Sequence, residues 1–155
     1  QIGFGHLANA AVQSGSVASG NVAKQHTASG LLQGSLQFII DGGGTALASG
    51  ERGDLMVPFD CKVNWINIFS DQSGGSIFPG IWKDAYGSYP PTSGDTIAPS
   101  GVPLISGAIR NAYSGTAALS GWVTSFSKGD IIKFVVHSGL TMTRCVISLQ
   151  VGIGD

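Results

Sequence analysis

The sequence contains few charged residues. Asp, Glu, Lys and Arg make up 11% of its 155 residues, whereas an average soluble domain contains roughly 25%. The formal net charge is −1, so the chain lacks the clustered Lys and Arg that bind nucleic-acid phosphates. We therefore expect no nucleic-acid partner. Few side chains are left for acid–base or metal chemistry.

Long apolar runs are also missing. No run approaches the ~20 residues that span a bilayer, because charged side chains such as Lys24, Arg52, Lys62 and Lys83 interrupt the apolar segments. We expect no membrane insertion. The chain starts at Gln1, without a basic stretch followed by an apolar segment. This start favours a piece of a longer polypeptide over a processed product.

Only two cysteines are present, Cys61 and Cys145. Two are too few for the disulfide framework of a small secreted domain, and no Asn-x-Ser/Thr acceptor for glycosylation occurs. Cys145 begins an alternating apolar run that continues to Val151, where a reduced thiol behaves as a small hydrophobic side chain. A Cys61–Cys145 bridge is the alternative. These features favour an origin in a reducing cytoplasm.

Recognised catalytic motifs are absent as well. The sequence has no Walker loop, dinucleotide fingerprint, nucleophile elbow or zinc-ligand spacing. A glycosidase needs two carboxyls roughly 5–9.5 Å apart, for which Asp84 and Asp95 in the longest predicted loop are the candidates. His137 is the best-placed base for a Ser or Cys nucleophile. We expect no enzyme, no catalytic residue, no metal and no cofactor.

What the sequence does contain is a repeat in residues 1–34. Aliphatic side chains recur every five residues, and most follow a small residue two positions earlier. A period of five fits neither a helix nor a strand, because either element would spread the apolar stripe around its surface. The aliphatic positions, predicted to form the core of a shaft, are Ile2, Leu7, Val12, Val17, Val22 and Leu32.

One repeat unit buries too little apolar surface to fold alone. A buried aliphatic side chain contributes roughly 1.5–3 kcal/mol, whereas ordering the backbone costs about 1–2 kcal/mol per residue. Three intertwined chains would bring the aliphatic side chains together, so we predict a fibre shaft in a homotrimer. A right-handed solenoid and a disordered linker are the alternatives. His6 and His26 share one phase of the repeat and could hold an axial ion, or could simply be exposed.

From Ser35 onward, short runs rich in Val, Ile, Phe and Trp alternate with clusters of Gly, Pro, Ser and Asp. This alternating composition is typical of strands and turns. We predict an all-β domain over residues 35–155, an antiparallel β-sandwich of jelly-roll type. The predicted strands are Leu36–Asp41, Leu55–Phe59, Lys62–Ser70, Ser76–Lys83, Leu104–Ala112, Ala118–Ser125, Ile131–Ser138 and Thr141–Val151.

Aromatic residues near the predicted loops are candidates for receptor binding. Exposed Trp and Tyr rings stack on sugar faces and supply rigid contact area. For Trp82 and Tyr89 the alternative is that they pin the long loop to the sandwich. Trp65 and Trp122 are predicted to lie in the core. The receptor-binding candidates are Trp82, Tyr86, Tyr89 and Tyr113.

Short motifs follow one another in a characteristic order in residues 35–155. They are Asp41–Gly44, Gly53-Asp54-Leu55, Trp82-Lys83-Asp84 with Tyr89-Pro90-Pro91, Gly121-Trp122 and Gly129-Asp130. In this order they resemble a β-sandwich domain of bacteriophage virion proteins, found in tail fibres and related appendages. The repeat likewise resembles the Gly/Ser/Ala/Val stretches of fibre shafts. The resemblance implies an oligomeric fibre, commonly trimeric, with a shaft and a globular head, and it carries over no catalytic residue.

The resemblance implies a structural virion protein, the distal part of a phage tail fibre that attaches to the host surface. Its partners would be other virion proteins and a host surface glycan or protein. It would be assembled in the host cytoplasm and located in the virion. The first alternative is a purely structural or decorating protein, such as a head fibre or fibre connector, without receptor binding. The second is a polysaccharide depolymerase, which would need a carboxyl pair in a groove.

Overall fold

A computed structural model describes residues 32–99 and 103–153. Within these ranges the chain forms nine strands and a short helix, and every strand pair is antiparallel. In chain order the elements are β1 (Gln33–Asp41), β2 (Gly50–Met56), β3 (Cys61–Ser70), β4 (Ser76–Asp84), β5 (Ile105–Ser106), β6 (Arg110–Ser114), α1 (Gly115–Ala118), β7 (Ser125–Phe126), β8 (Ile131–Leu140) and β9 (Arg144–Ile153).

The strands form two sheets. In the first sheet, neighbouring strands follow the order β1-β9-β3-β6, and β7 pairs with β3. In the second sheet the order is β2-β8-β4-β5. The chain crosses from one sheet to the other after each of its first three strands. The predicted all-β fold with antiparallel pairing in two sheets is confirmed.

One hydrophobic core joins the two sheets. Ile66 of β3 and Leu149 of β9 enter it from the first sheet, and Ile81 and Phe134 enter it from the second. The ring of Phe38 on β1 stacks on that of Phe134 on β8, with centroids 4.3 Å apart. Such rings bury a large apolar area. The two sheets are therefore held together by interleaved aliphatic and aromatic side chains.

The aliphatic positions of the repeat fall largely outside the described residues. This applies to Ile2, Leu7, Val12, Val17 and Val22, so the shaft remains a prediction. Leu32 is described and is exposed. The described part of the chain has no helix with the length and apolar character needed to cross a membrane.

The predicted strand Ala118–Ser125 is wrong. The chain instead completes the single turn of α1 and reverses at Gly121, whose φ of +78° is a left-handed conformation that glycine adopts readily. Leu119 and Trp122 lie in this turn and their side chains are buried, as predicted for Trp122. Their apolar spacing therefore reflects a short helical turn rather than a strand. Within the predicted strand, pairing with β3 begins only at β7.

The predicted strand Leu55–Phe59 is displaced. Its observed counterpart, β2, starts at Gly50 and stops before Val57, because Pro58 has no N–H to continue a ladder. The Gly50–Gly53 segment pairs with β8 through a register shift between Glu51 and Gly53. The predicted strand Leu104–Ala112 is likewise divided into β5 and β6.

Trp65 does not lie in the core, in contrast to the prediction. Its side chain is 46% exposed, whereas Val63 and Ile66 on either side of it are buried. The pairing of β3 with β9 shifts register between Val63 and Trp65. Such an irregularity adds a residue to one strand and reverses the faces that follow it. Trp65 is therefore turned onto the outer face of the first sheet.

Cys61 and Cys145 are both free and buried. Burial, assisted by the charge of Asp71, raises the pKa of Cys145 to about 12. Burial also raises the pKa of Cys61, with smaller contributions from Asp60 and Asp130. The core location predicted for a reduced Cys145 is thus observed.

These thiols are expected to be unreactive in the folded protein. A thiol with a pKa of about 12 is ionised to roughly one part in 10⁴ at pH 8, and the thiolate is the reactive form. An aromatic disulfide reagent at pH 8 should therefore label neither thiol within minutes, but should label both in guanidinium without reductant. Rapid native labelling would contradict the burial, and no labelling in guanidinium would indicate a bridge.

Candidate binding surface

The four aromatic residues predicted to contact a receptor do not form one surface. Tyr113 lies on β6 in the first sheet and Trp82 on β4 in the second, while Tyr86 and Tyr89 follow β4. Tyr113 packs its ring 5.7 Å from that of Trp122 and accepts a hydrogen bond from the Leu104 N–H at 3.0 Å. Tyr113 thus connects β6 to the segment before β5.

Trp82 is partly buried. Its backbone forms a bridge with Thr96 of the long loop that follows β4, and its ring lies 6.2 Å from that of His137. His137, the candidate base, also packs against Phe78, with ring centroids 4.9 Å apart. It lies directly over Gly80, where an added Cβ would come within 2.4 Å of its Nε2. This cluster joins β4, β8 and the long loop.

Tyr89 connects the long loop to the second sheet. Its hydroxyl donates a hydrogen bond to Asp54 Oδ2 at 2.9 Å, and Lys133 Nζ lies 5.9 Å from its ring centroid. The bond to Asp54 requires the phenol proton and raises the pKa of Tyr89. Lys133 also donates to Glu51 at 3.0 Å, which raises the pKa of Lys133. Although Tyr89 is 55% exposed, it is oriented by these contacts.

Tyr86 is the most exposed of the four, at 69%. It begins a single 3-10 turn that ends at Ser88, and its carbonyl accepts the N–H of Tyr89. Tyr86 and Tyr89 therefore belong to the same loop segment, on the side of the second sheet. Of the predicted candidates, these two are the ones that present most ring surface to solvent.

The acidic candidates Asp84 and Asp95 form local hydrogen bonds. Asp84 Oδ1 accepts the N–H of Ala85 at 2.7 Å. Asp95 Oδ2 accepts both the N–H and the hydroxyl of Thr92 at 2.8 Å, completing a capping box. These bonds lower the pKa of Asp95. In the described part of the chain, no three His, Cys, Asp or Glu side chains cluster in a way that could hold a metal ion.

The outer face of the first sheet carries a set of uncharged polar side chains that was missed as a site in the sequence. Ser148 on β9 is paired with Gln37 on β1 and with Asn67 on β3. Gln150 on β9 is paired with Ser35 on β1. We call these five residues the polar stripe. The stripe runs across three neighbouring strands.

Hydrogen bonds orient the side chains of the polar stripe. The hydroxyls of Ser35 and Ser148 are 3.0 Å apart, so one donates to the other. Gln150 Nε2 donates to the Ser148 hydroxyl at 3.0 Å and to that of Ser35 at 3.3 Å, and Gln37 Nε2 donates to Ser148 at 3.3 Å. Each amide has two N–H donors and a carbonyl acceptor with two lone pairs. The stripe therefore presents donors and acceptors in an ordered arrangement.

All residues of the polar stripe except Ser35 line an open groove of about 900 Å³. On the β6 side the groove is lined by Ile109, Arg110 and Asn111. A smaller concavity of about 370 Å³ adjoins it at Asn67 and Gln150 and includes Trp65. Another, of about 240 Å³, adjoins it at Phe69. Together they form one concave surface along the outer face of the first sheet.

Apolar and aromatic side chains border the stripe. Ile39 of β1 and Phe69 of β3 are exposed on this face, on either side of Val146 of β9. Trp65 is paired with Gln150 at the opposite side of the stripe. The described residues that line the 900 Å³ groove include no carboxylate, and their one charged side chain is that of Arg110. The arrangement can bind a ligand that is hydroxylated, uncharged and partly apolar.

Part of the polar stripe could be predicted from the sequence. The alternation of Ser148 and Gln150 with apolar residues indicates that they face solvent or a partner. It does not indicate which other strands lie beside them. No protein-family model matches the sequence, and comparison with the curated proteins gives no match.

Proposed function

We propose that this chain is the distal part of a bacteriophage tail fibre and mediates attachment to the host surface. The observation that carries the proposal is the concave groove on the outer face of the first sheet, which is lined by polar side chains and by one charged residue, Arg110. A fold alone does not assign a function, whereas a groove with convergent polar groups is typical of a binding site.

The head is proposed to be a jelly roll. The support is the strand order, β1-β9-β3-β6 in one sheet and β2-β8-β4-β5 in the other. Jelly rolls have eight strands in two sheets and occur in viral capsid proteins and lectins. In this interpretation β7 is an additional short strand beside β3.

The shaft is proposed to be residues 1–34 in an intertwined homotrimer, supported by the five-residue repeat. Three heads on one fibre would bind a repetitive surface simultaneously. Linked sites raise the overall avidity without any new contact, so a weak site on each head would be sufficient. Other virion proteins would hold the fibre on the particle.

A second candidate is a structural or decorating virion protein, such as a head fibre or a fibre connector, without receptor binding. The exposed apolar side chains of Ile39 and Phe69 favour it, because exposed apolar patches mark contacts between proteins. In that case the first sheet would contact another virion protein. The two candidates differ in whether the isolated chain binds intact cells.

The test combines mass and cell binding. Light scattering coupled to size exclusion should give three times the chain mass of 15.8 kDa for residues 1–155. Fluorescently labelled chain should then bind a subset of a panel of bacterial strains, as measured by flow cytometry. A monomer at micromolar concentration would contradict the trimeric shaft. Binding to no strain in the panel would contradict attachment and favour the structural candidate.

A further inference from the structure

We propose that the polar stripe and Trp65 bind a neutral oligosaccharide chain that lies across the outer face of the first sheet. The proposal rests on the attachment function proposed above, and it names the class of receptor and the surface that binds it. It moves the expected site from the loop tyrosines, Tyr86 and Tyr89, to the opposite sheet.

The first argument is hydrogen-bonding chemistry. Sugar hydroxyls both donate and accept, so they are matched by groups that do both. The stripe supplies amides at Gln37, Asn67 and Gln150 and the exposed hydroxyl of Ser35. The Ser148 hydroxyl is buried and holds the two glutamine amides in place. The Gln37 amide nitrogen uses one donor to Ser148 and has a second. Amide carbonyls add acceptors on the same surface.

The second argument is the position of Trp65. A large aromatic ring on the outer face is placed there by the register shift next to Val63, and such irregularities commonly re-aim a side chain. The ring shares a concavity with Asn67 and Gln150. An exposed indole face next to amides is suited to stacking on the apolar face of a sugar ring while its hydroxyls bind the amides.

The third argument is charge. Among the described residues, Arg110 is the one charged side chain lining the main groove. The adjoining concavity is lined by one cation, Arg144, and one carboxylate, Asp41, which are strand partners across β9 and β1. A polyanion such as an acidic polysaccharide would need several convergent cations. The chemistry of this face therefore favours a neutral chain.

The fourth argument is dimension and rigidity. Neighbouring strands are about 4.8 Å apart, so the four strands β1, β9, β3 and β6 provide a surface about 14 Å across. This width fits a short oligosaccharide rather than a single sugar. The contacting side chains lie on paired strands and not on loops, so binding orders little additional structure.

The test uses residues 1–155 on an array that carries neutral and acidic bacterial oligosaccharides at equal density. Wild-type chain should bind a subset of the neutral chains and not the acidic ones. Trp65→Ala should weaken binding at least tenfold and Asn67→Ala several-fold, while Trp65→Phe should recover part of the loss. Tyr86→Ala is the matched control, an exposed aromatic in the loop that follows β4 of the other sheet, and should change binding less than twofold. Each variant is first checked for unchanged unfolding.

Several results would overturn the proposal. They are wild-type binding to no neutral chain, binding to acidic chains alone, or loss of binding in Tyr86→Ala but not in Trp65→Ala. Light scattering provides a further outcome. If Trp65→Ala dissociates an oligomer that the wild type forms, the face contacts a second copy of the chain and the proposal is wrong.

The cell-binding assay separates this proposal from the attachment function. If the chain binds cells and Trp65→Ala binds equally well, the attachment function stands and the site is wrong. If Trp65-dependent binding to a neutral chain is found but no strain is bound, the site stands and the attachment function is wrong.

Discussion

Replacing Phe134 by Ala is expected to destabilise the domain by about 3–5 kcal/mol, the range for a fully buried Phe. Its side chain is fully buried and is stacked on Phe38 of the other sheet at 4.3 Å. The truncation loses the favourable free energy of burying the Phe134 ring and leaves a cavity. It also eliminates a contact that joins the two sheets. A domain of this size is typically stable by only about 5–15 kcal/mol. The measurement is the midpoint of urea unfolding followed by tryptophan fluorescence.

The matched control is Phe69→Ala. Phe69 lies on the outer face of the first sheet and is 44% exposed, so its truncation is expected to cost about 1 kcal/mol or less. A similar loss in both variants would contradict the exposure of the outer face and would imply that this face is itself covered in the native protein.

The second large effect is expected at the ion pair between Lys83 and Asp130. Lys83 Nζ lies 2.9 Å from Asp130 Oδ2, and the two side chains are only 20% and 10% exposed. The same carboxylate oxygen accepts the Ser127 N–H at 2.9 Å. The pair thereby connects β4 to the turn before β8. It is among the few ionic contacts of the described residues in a chain that is poor in charge.

Lys83→Met is expected to cost about 3 kcal/mol, because it leaves the Asp130 carboxylate largely buried without its cation. The exposed Lys62 is the matched control, and Lys62→Met should change the free energy of unfolding by less than about 0.5 kcal/mol. A double-mutant cycle with Asp130→Asn isolates the pairwise contribution. Equal stability of Lys83→Met and Lys62→Met would show that the pair does not contribute as described.

The residues of β8 and β9 that face the core were largely predictable from the sequence. Ile132, Phe134 and Val136 share one face of β8, opposite Lys133 and His137, and all three are buried in the core. Period-two alternation directly reports which residues share one face of a strand. Composition and turn residues likewise predicted an all-β antiparallel domain. These properties depend on residues close together in the chain.

Exceptions to local alternation were not predictable. Trp65 was expected in the core. Strict alternation from Cys61 and Val63 would bury it, but the pairing with β9 shifts by one residue and turns Trp65 outward. The apolar residues around Trp122 were read as a strand, although Leu119 and Trp122 are buried from a turn. In both cases contacts with distant strands override the local pattern.

The sequence by itself determined the fold class, the alternating faces of the long strands and the poverty in charge and catalytic motifs, because each is a property of composition or local spacing. Only the tertiary structure decided which polar residues meet. Ser35 and Ser148 are 113 residues apart in the chain, yet their hydroxyls are 3.0 Å apart. The pairing of β9 between β1 and β3 brings the stripe together. Strand order depends on long-range backbone pairing, which the local alternation of residues does not encode.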